Sequence, residues 1–130
     1  MTDAGVKKVI LLVDDEFGFR HVYRDVLEYD NFEILEASDG DEAWRLALEK
    51  KPDLILLDLV LPKLPGLEVL KRVRSTPETK NIPVIILSVL GEPRDIEKGM
   101  QLGANDYMVK GQNTPAEVIE KVGKLLGTAK

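Results

Sequence analysis

Side chains that can bind a metal or attack phosphorus come directly after four of the apolar runs in this sequence. Asp14 and Asp15 follow the first run, and Asp58, Ser88 and Lys110 follow three later ones. If these runs are parallel strands of one sheet, their carboxyl ends meet at one edge, and these side chains meet there too. The spacing therefore predicts a small pocket that holds three carboxylates, one hydroxyl and one ammonium group.

Three carboxylates in one pocket need a counterion, because each negative charge raises the pKa of the others. Lys110 can offset one of these charges, and a hard divalent cation would offset the rest. Mg²⁺ suits this place, since it binds a few protein oxygens and keeps several water molecules. We therefore expect Mg²⁺ as the cofactor of this pocket.

Asp58 is the candidate nucleophile of the pocket. It follows the aliphatic run Leu54–Leu57, and burial of an unpaired carboxylate is costly. An aspartate beside Mg²⁺ and an ammonium group can attack phosphorus and form an aspartyl phosphate. The cation and Lys110 would then neutralise charge on the phosphoryl oxygens, and Ser88 could hydrogen-bond to one of them.

The elements that must position these groups are strands alternating with helices. Such alternation predicts an α/β fold, with a five-stranded parallel sheet covered by helices on both faces. The second run has partly alternating polarity, which favours an edge position. We expect strands at residues 9–13, 32–37, 54–57, 82–87 and 107–109. A weaker fourth helix is expected at about 93–102, because it contains Gly99. The last helix is expected to begin at the capping box Thr114–Glu117.

Composition limits the class of protein. The chain has 130 residues, of which 44% are hydrophobic and 32% charged, so we expect one globular domain over residues 1–130, with a core of about 8–126 and no output domain. It has no cysteine, which excludes disulfides, thiolate metal sites and cysteine nucleophiles. The net charge is −5, and the sequence has no stripe of basic residues. We therefore expect no nucleic-acid binding through this domain.

Membrane insertion and export also lack support in the sequence. No apolar run approaches the roughly 20 residues of a membrane span. The first residues lack the apolar core of a signal peptide. We therefore expect a soluble cytoplasmic protein.

Four motifs, in this order and spacing, carry a resemblance to a known family. They are the pair Asp14-Asp15, the segment Asp58–Gly66 (DLVLPKLPG), Ser88, and the segment Gly103–Lys110 (GANDYMVK). The chain from about residue 8 to 126 resembles the receiver domain of bacterial two-component response regulators, in particular the single-domain chemotaxis regulator. The resemblance implies a flavodoxin-like, doubly wound sheet with strand order 2-1-3-4-5 and five helices.

The resemblance implies a signalling function and assigns the metal and phosphoryl sites. Asp58 would accept a phosphoryl group from a sensor histidine kinase or a histidine phosphotransfer protein. Asp15 would bind Mg²⁺ directly and Asp14 largely through water, and the Asp58 carboxylate and the backbone carbonyl of Val60 would complete the protein ligands. Lys110 would bind the phosphoryl group. The protein would not be an enzyme, apart from assisting its own phosphorylation and dephosphorylation.

The same resemblance implies a conformational switch. Ser88 would be the switch hydroxyl and Tyr107 the switch aromatic. Phosphorylation would pull the hydroxyl toward the phosphoryl group, turn the ring inward and remodel the face of the fourth helix, fifth strand and fifth helix. A downstream protein, which the sequence does not identify, would read that change.

Three residues depart from the family pattern, of which Leu61, in place of the common methionine, is a mild change of packing. Val89 follows the switch hydroxyl, where a small residue is usual, and we expect it to restrict access to the site or crowd an inward ring. Gly111 follows Lys110, where the family usually has proline after a cis peptide bond. Because a cis bond before a residue other than proline costs about 3 kcal/mol, we expect a trans bond here or a looser loop.

Two alternative functions stay open on the residues alone. One is a receiver-like interaction module that works without phosphorylation, which Val89 and Gly111 keep open. The other is a Mg²⁺-dependent phosphohydrolase with an aspartyl nucleophile, although its haloacid-dehalogenase form needs a second aspartate where this chain has Val60. Outside the pocket, we expect His21 to be a surface residue and Gly66 to supply turn geometry.

Overall fold

The computed structural model describes residues 7–128, which form five strands and five helices in strict alternation. The elements are β1 (Val9–Val13), α1 (Phe17–Tyr29), β2 (Glu33–Ala37), α2 (Gly40–Lys50), β3 (Leu54–Leu57), α3 (Gly66–Ser75), β4 (Val84–Ser88), α4 (Pro93–Gln101), β5 (Asp106–Val109) and α5 (Pro115–Leu126). The predicted α/β fold with five helices is confirmed.

All strands of the sheet are parallel, in the order β2-β1-β3-β4-β5. The strand order that the family resemblance implies is therefore confirmed, and β2 lies at an edge as its polarity predicts. Val13 pairs with Leu57, and Ser88 pairs with Val109. This register brings the carboxyl ends of β1, β3, β4 and β5 to one edge of the sheet.

Apolar side chains cover both faces of the sheet and form two core clusters. One face carries Leu11, Ile55 and Ile86 toward α2, α3 and α4, and the other carries Ile10 and Leu56 toward α1 and α5. Every residue of β3 and β4 is buried. Central strands that are covered on both faces need continuous aliphatic runs, which explains the sequence pattern.

The observed elements differ from the predicted ones near their ends. Pro83 lies just outside β4, where its missing N–H costs no ladder bond and its carbonyl accepts a 2.9 Å hydrogen bond from Ile55 N. Ser88 is the last residue of β4 and does not follow it. On α1, Val22 is 52% exposed, because Tyr23 and Leu27 take the inward positions.

Positions 66 and 99 are glycine because neighbouring backbone or core atoms leave no room for a Cβ. A Cβ on Gly66 would lie 2.3 Å from the carbonyl oxygen of Asp58, so α3 begins directly against the end of β3. The prediction that Gly66 supplies turn geometry is wrong, since the positive φ of that loop (70°) belongs to Lys63. A Cβ on Gly99 would lie 2.6 Å from Ile86 Cδ1, so this glycine lets α4 pack closely on the sheet.

Among residues 7–128, no helix is both long enough and apolar enough to cross a bilayer. The predicted surface position of His21 is confirmed, because its side chain is 57% exposed and lies 3.4 Å from Asp25.

Candidate functional site

The three acidic residues predicted to form a metal site lie together at the carboxyl edge of the sheet. Each of Asp14, Asp15 and Asp58 offers a carboxylate oxygen within 4.8 Å of the others. Asp14 and Asp58 are buried, with 2% and 4% of their surfaces exposed, whereas Asp15 is exposed to solvent. An oxygen-only donor set that is open on one side fits Mg²⁺, which keeps part of its water shell.

Lys110 extends from the end of β5 between the two buried carboxylates. Its Nζ lies 2.6 Å from Asp14 Oδ2 and 3.0 Å from Asp58 Oδ2. Burial alone would lower the pKa of Lys110, but hydrogen bonds to Asp14 and Asp58 and their negative charges outweigh it and raise that pKa. The ammonium group is therefore held in its charged form.

The contacts of Asp14 do not fully offset the cost of burying its carboxylate. Burial raises the pKa of the Asp14 carboxyl, and the Asp58 charge adds to this effect. Lys110 and a 2.9 Å hydrogen bond from the N–H of Glu16 oppose the rise without cancelling it. A divalent cation would supply the missing positive charge.

The loop after β3 folds back onto Asp58. The N–H of Val60 donates a 3.2 Å hydrogen bond to Asp58 Oδ1, while Lys110 binds the other oxygen. The Val60 side chain is 51% exposed. Both oxygens of the candidate nucleophile are thus fixed in orientation by groups from different elements.

Ser88 and Tyr107 are linked through the backbone of Leu90. The N–H of Leu90 donates a 3.2 Å hydrogen bond to the buried Ser88 Oγ, and the Tyr107 hydroxyl donates to the Leu90 carbonyl. Tyr107 is only 9% exposed, so its ring is already inward in this structure, whereas the resemblance implied that phosphorylation turns it inward. Val89 is 63% exposed. The expected crowding of an inward ring by Val89 is therefore not observed.

Burial is the main influence on the titration of Tyr107. It raises the pKa of the phenol, and the charges of Asp95 and Asp58 raise it further. The hydroxyl therefore keeps its proton and remains a hydrogen-bond donor toward Leu90.

The peptide bond between Lys110 and Gly111 is trans, which is the first of the two predicted outcomes. Gly111 takes a φ of +86°. The following turn is closed by Asn113, whose Oδ1 accepts a 2.8 Å hydrogen bond from Val109 N and whose own N–H donates to the Val109 carbonyl at 3.0 Å. The β5–α5 connection is thus ordered by asparagine and glycine.

Arg20 is a residue of the site that sequence reasoning missed. Its guanidinium donates to the backbone carbonyl of Asp14 at 2.6 Å and to Glu36 Oε1 at 2.8 Å. It therefore ties the end of β1 to α1 and β2. No spacing rule marks this contact, because a helical arginine of this kind is ordinarily a solvated surface residue.

Comparison with known proteins identifies the family. Residues 10–122 match the family model described as the response regulator receiver domain. The transcriptional regulatory protein SrrA of Staphylococcus aureus is 44% identical over 117 residues, which are 90% of this chain and 47% of SrrA. The chain therefore spans about half the length of that relative.

Solved structures agree with this match. A putative response regulator from Chloroflexus aurantiacus superposes with a TM-score of 0.88 at 31% identity, over 94% of this chain and 99% of that one. The receiver domain of the sensor histidine kinase PA1611 from Pseudomonas aeruginosa superposes with a TM-score of 0.86 at 29% identity, again over 94% and 99%, and holds a magnesium ion in its active-site cleft.

The chain belongs to the response regulator receiver domain family, the phosphorylatable modules of two-component signalling. The predicted family and its flavodoxin-like fold are confirmed. Family membership favours neither the phosphorylation-independent module nor the phosphohydrolase. Receiver domains are signalling modules, and they interact with histidine kinases or phosphotransfer proteins.

Proposed function

We propose that Asp58 accepts a phosphoryl group from a phosphohistidine of a sensor kinase or phosphotransfer protein, with Mg²⁺ held by Asp14, Asp15 and Asp58. The observation that carries this proposal is the position of Lys110 Nζ between two buried carboxylates, 2.6 Å from Asp14 and 3.0 Å from Asp58. The backbone carbonyl of Val60 is proposed as a further metal ligand, since its N–H already binds Asp58.

The transfer exchanges one bond to phosphorus for another. A carboxylate oxygen of Asp58 forms a bond to phosphorus, and the bond from phosphorus to the imidazole nitrogen of the donor breaks. The leaving imidazole keeps the electron pair and takes up a proton from solvent. Lys110 and the hydroxyl of Ser88 bind the phosphoryl oxygens, and bound Mg²⁺ neutralises further charge on them.

The proposed switch works through residues 88–91. In this structure Ser88 Oγ and the Tyr107 hydroxyl both hydrogen-bond to the backbone of Leu90. If Ser88 turns to a phosphoryl oxygen, the Leu90 N–H loses its acceptor and the loop that also holds the ring must shift. The Tyr107 ring extends from β5 and packs against Gly99 of α4. A change in its position would therefore alter the α4, β5 and α5 face that a downstream protein reads.

The acceptor can be located directly by chemical trapping. The protein is incubated with phosphoramidate, whose P–N bond resembles that of phosphohistidine, and Mg²⁺, and the aspartyl phosphate is then reduced with borohydride. Peptide mass spectrometry is expected to find homoserine at position 58. Homoserine at Asp14 or Asp15 instead would contradict the assignment of Asp58.

A further inference from the structure

Phe19 lies beneath the ammonium group of Lys110. Lys110 Nζ is over the ring of Phe19, 4.1 Å from its centroid. The face of an aromatic ring is electronegative and attracts a cation at this distance. The sequence alone does not reveal this contact, because a contact between α1 and the end of β5 leaves no local signal.

The Phe19 ring also contacts a second aromatic residue of α1. Phe19 stacks on Tyr23, one helical turn later, with centroids 4.6 Å apart and an interplanar angle of 22°. Tyr23 is only 3% exposed and belongs to the core cluster that contains Val118 and Val122. The position of the Phe19 face is thus set by the packing of α1 against α5 and the sheet.

Apart from the Phe19 ring, the side chains that bind the Lys110 ammonium group are carboxylates of the candidate metal site. The backbone N–H of Lys110 donates a 2.9 Å hydrogen bond to the Ser88 carbonyl, and the next residue, Gly111, has no neighbour that a Cβ could contact. The ammonium group is bound by two carboxylates and the Phe19 ring. Binding of a metal or a phosphoryl group would engage the carboxylates, whereas the ring can bind neither group.

We propose that Phe19 is a positioning residue that holds the Lys110 ammonium group in place during phosphoryl transfer to Asp58. The inference rests on the proposed function. An apolar, uncharged face keeps the cation at the site without competing for the metal or neutralising Lys110. Loss of the ring is expected to slow phosphorylation about threefold to tenfold, the range of a partly buried cation–π contact.

Phe17 supplies a matched control on the same helix. Its ring is 70% exposed and stacks on His21 at 5.8 Å. The cation over it is the Arg20 guanidinium, 5.7 Å from the ring centroid, and not Lys110. Phe17→Leu and Phe19→Leu therefore make the same chemical change, with and without a lysine over the ring.

The first test measures the initial rate of phosphorylation by acetyl phosphate with saturating Mg²⁺. Phe19→Leu is expected to be about threefold to tenfold slower than wild type, whereas Phe19→Tyr and Phe17→Leu keep the wild-type rate. Fluorinated phenylalanines at position 19 preserve shape while removing the negative face, so the rate is expected to fall as fluorine number rises. Equal rates across the fluorinated series would overturn the proposal.

A double-mutant cycle asks whether Phe19 acts through Lys110. In a Lys110→Met background, Phe19→Leu is expected to have no further effect on the rate. A slowdown of equal size in that background would show that Phe19 matters only for packing, and would also overturn the proposal.

A spectroscopic measurement separates this inference from the proposed function. Ring currents from Phe19 should shift the ε-methylene and ammonium resonances of Lys110 upfield in wild type, and Phe19→Leu should remove the shift, whether or not the protein is phosphorylated. If wild type shows the shift but no transfer to Asp58, the proposed function fails while the contact stands. If transfer occurs without the shift, only the role of Phe19 fails.

Discussion

At the scale of single residues, the site is defined by an excess of negative charge in a buried place. Asp14 and Asp58 are almost fully buried and share one ammonium group. The raised pKa of Asp14, caused mainly by burial, means that its ionisation opposes folding. The functional arrangement of carboxylates thus lowers the stability of the protein without Mg²⁺.

Asp14→Asn is therefore expected to stabilise the protein in chelator at neutral pH. A carboxyl group whose folded-state pKa is raised contributes stability below its unfolded value of 3.8, and this contribution is lost as the pH rises through the folded value. The asparagine amide does not ionise, so the variant does not lose this stability as the pH rises. We therefore expect its Tm at neutral pH to be about 3–5 °C above that of wild type. Thermal unfolding in EDTA measures it.

The exposed residue Asp25, which pairs with His21 at 3.4 Å, provides the control. Asp25→Asn should leave the Tm almost unchanged, and the advantage of Asp14→Asn should shrink as the pH falls toward 3.8. A lower Tm for Asp14→Asn at neutral pH would show that its pairing with Lys110 outweighs its burial.

At the scale of elements, close packing of α4 on the sheet determines where Tyr107 lies. A Cβ on Gly99 would lie 2.6 Å from Ile86 Cδ1 and 3.0 Å from Tyr107 Cδ2. Gly99 therefore lowers the intrinsic stability of α4 as a helix but leaves space for the inward ring of Tyr107. The position of Tyr107, the proposed switch aromatic, depends on this space as well as on its hydrogen bond to Leu90.

Gly99→Ala is expected to destabilise the protein, although alanine favours helix by about 1 kcal/mol. Overpacking of a core costs about 1–3 kcal/mol, so we expect a net loss of about 1 kcal/mol in the free energy of unfolding. Urea denaturation measures it. Gly18→Ala in α1, where nothing lies within 4 Å, should instead be neutral or slightly stabilising. Stabilisation by both substitutions would contradict the packing argument.

At the scale of the whole molecule, a parallel sheet brings groups that are distant in sequence to one edge. The alternating pattern was enough to predict this convergence, because parallel strands end at the same side. The order of the strands came from the resemblance to receiver domains. Neither the alternation nor the charge pattern distinguishes one strand order from another.

Some features of the site could not be predicted, because they arise from tertiary packing. The contact between Lys110 and Phe19 joins β5 to α1, and Arg20 reaches the Asp14 carbonyl from a helix face that is ordinarily solvated. Gly66 was predicted as a turn residue because glycine after proline usually marks one. Glycine is needed at position 66 because the Asp58 carbonyl leaves no room for a Cβ. That contact can be predicted only when the start of α3 is known.

Binding of Mg²⁺ is expected to stabilise the whole domain. A ligand that binds only the folded state adds about 2.7 kcal/mol at a hundred times its Kd, so the Tm should rise with Mg²⁺ concentration and fall again in chelator. Asp58→Asn should weaken this dependence. The exposed Asp41 on α2 lies outside the acidic cluster, so Asp41→Asn should keep it. A Tm that is independent of Mg²⁺ in wild type would contradict the metal assignment.

The measurement that tests the central claim most directly is intact mass after incubation with acetyl phosphate. Wild type with Mg²⁺ should gain a single phosphoryl group, and the adduct should be absent in chelator and in Asp58→Asn. An adduct that persists in Asp58→Asn, or that forms equally well without Mg²⁺, would contradict the assignment of Asp58 as the acceptor in a metal-dependent site.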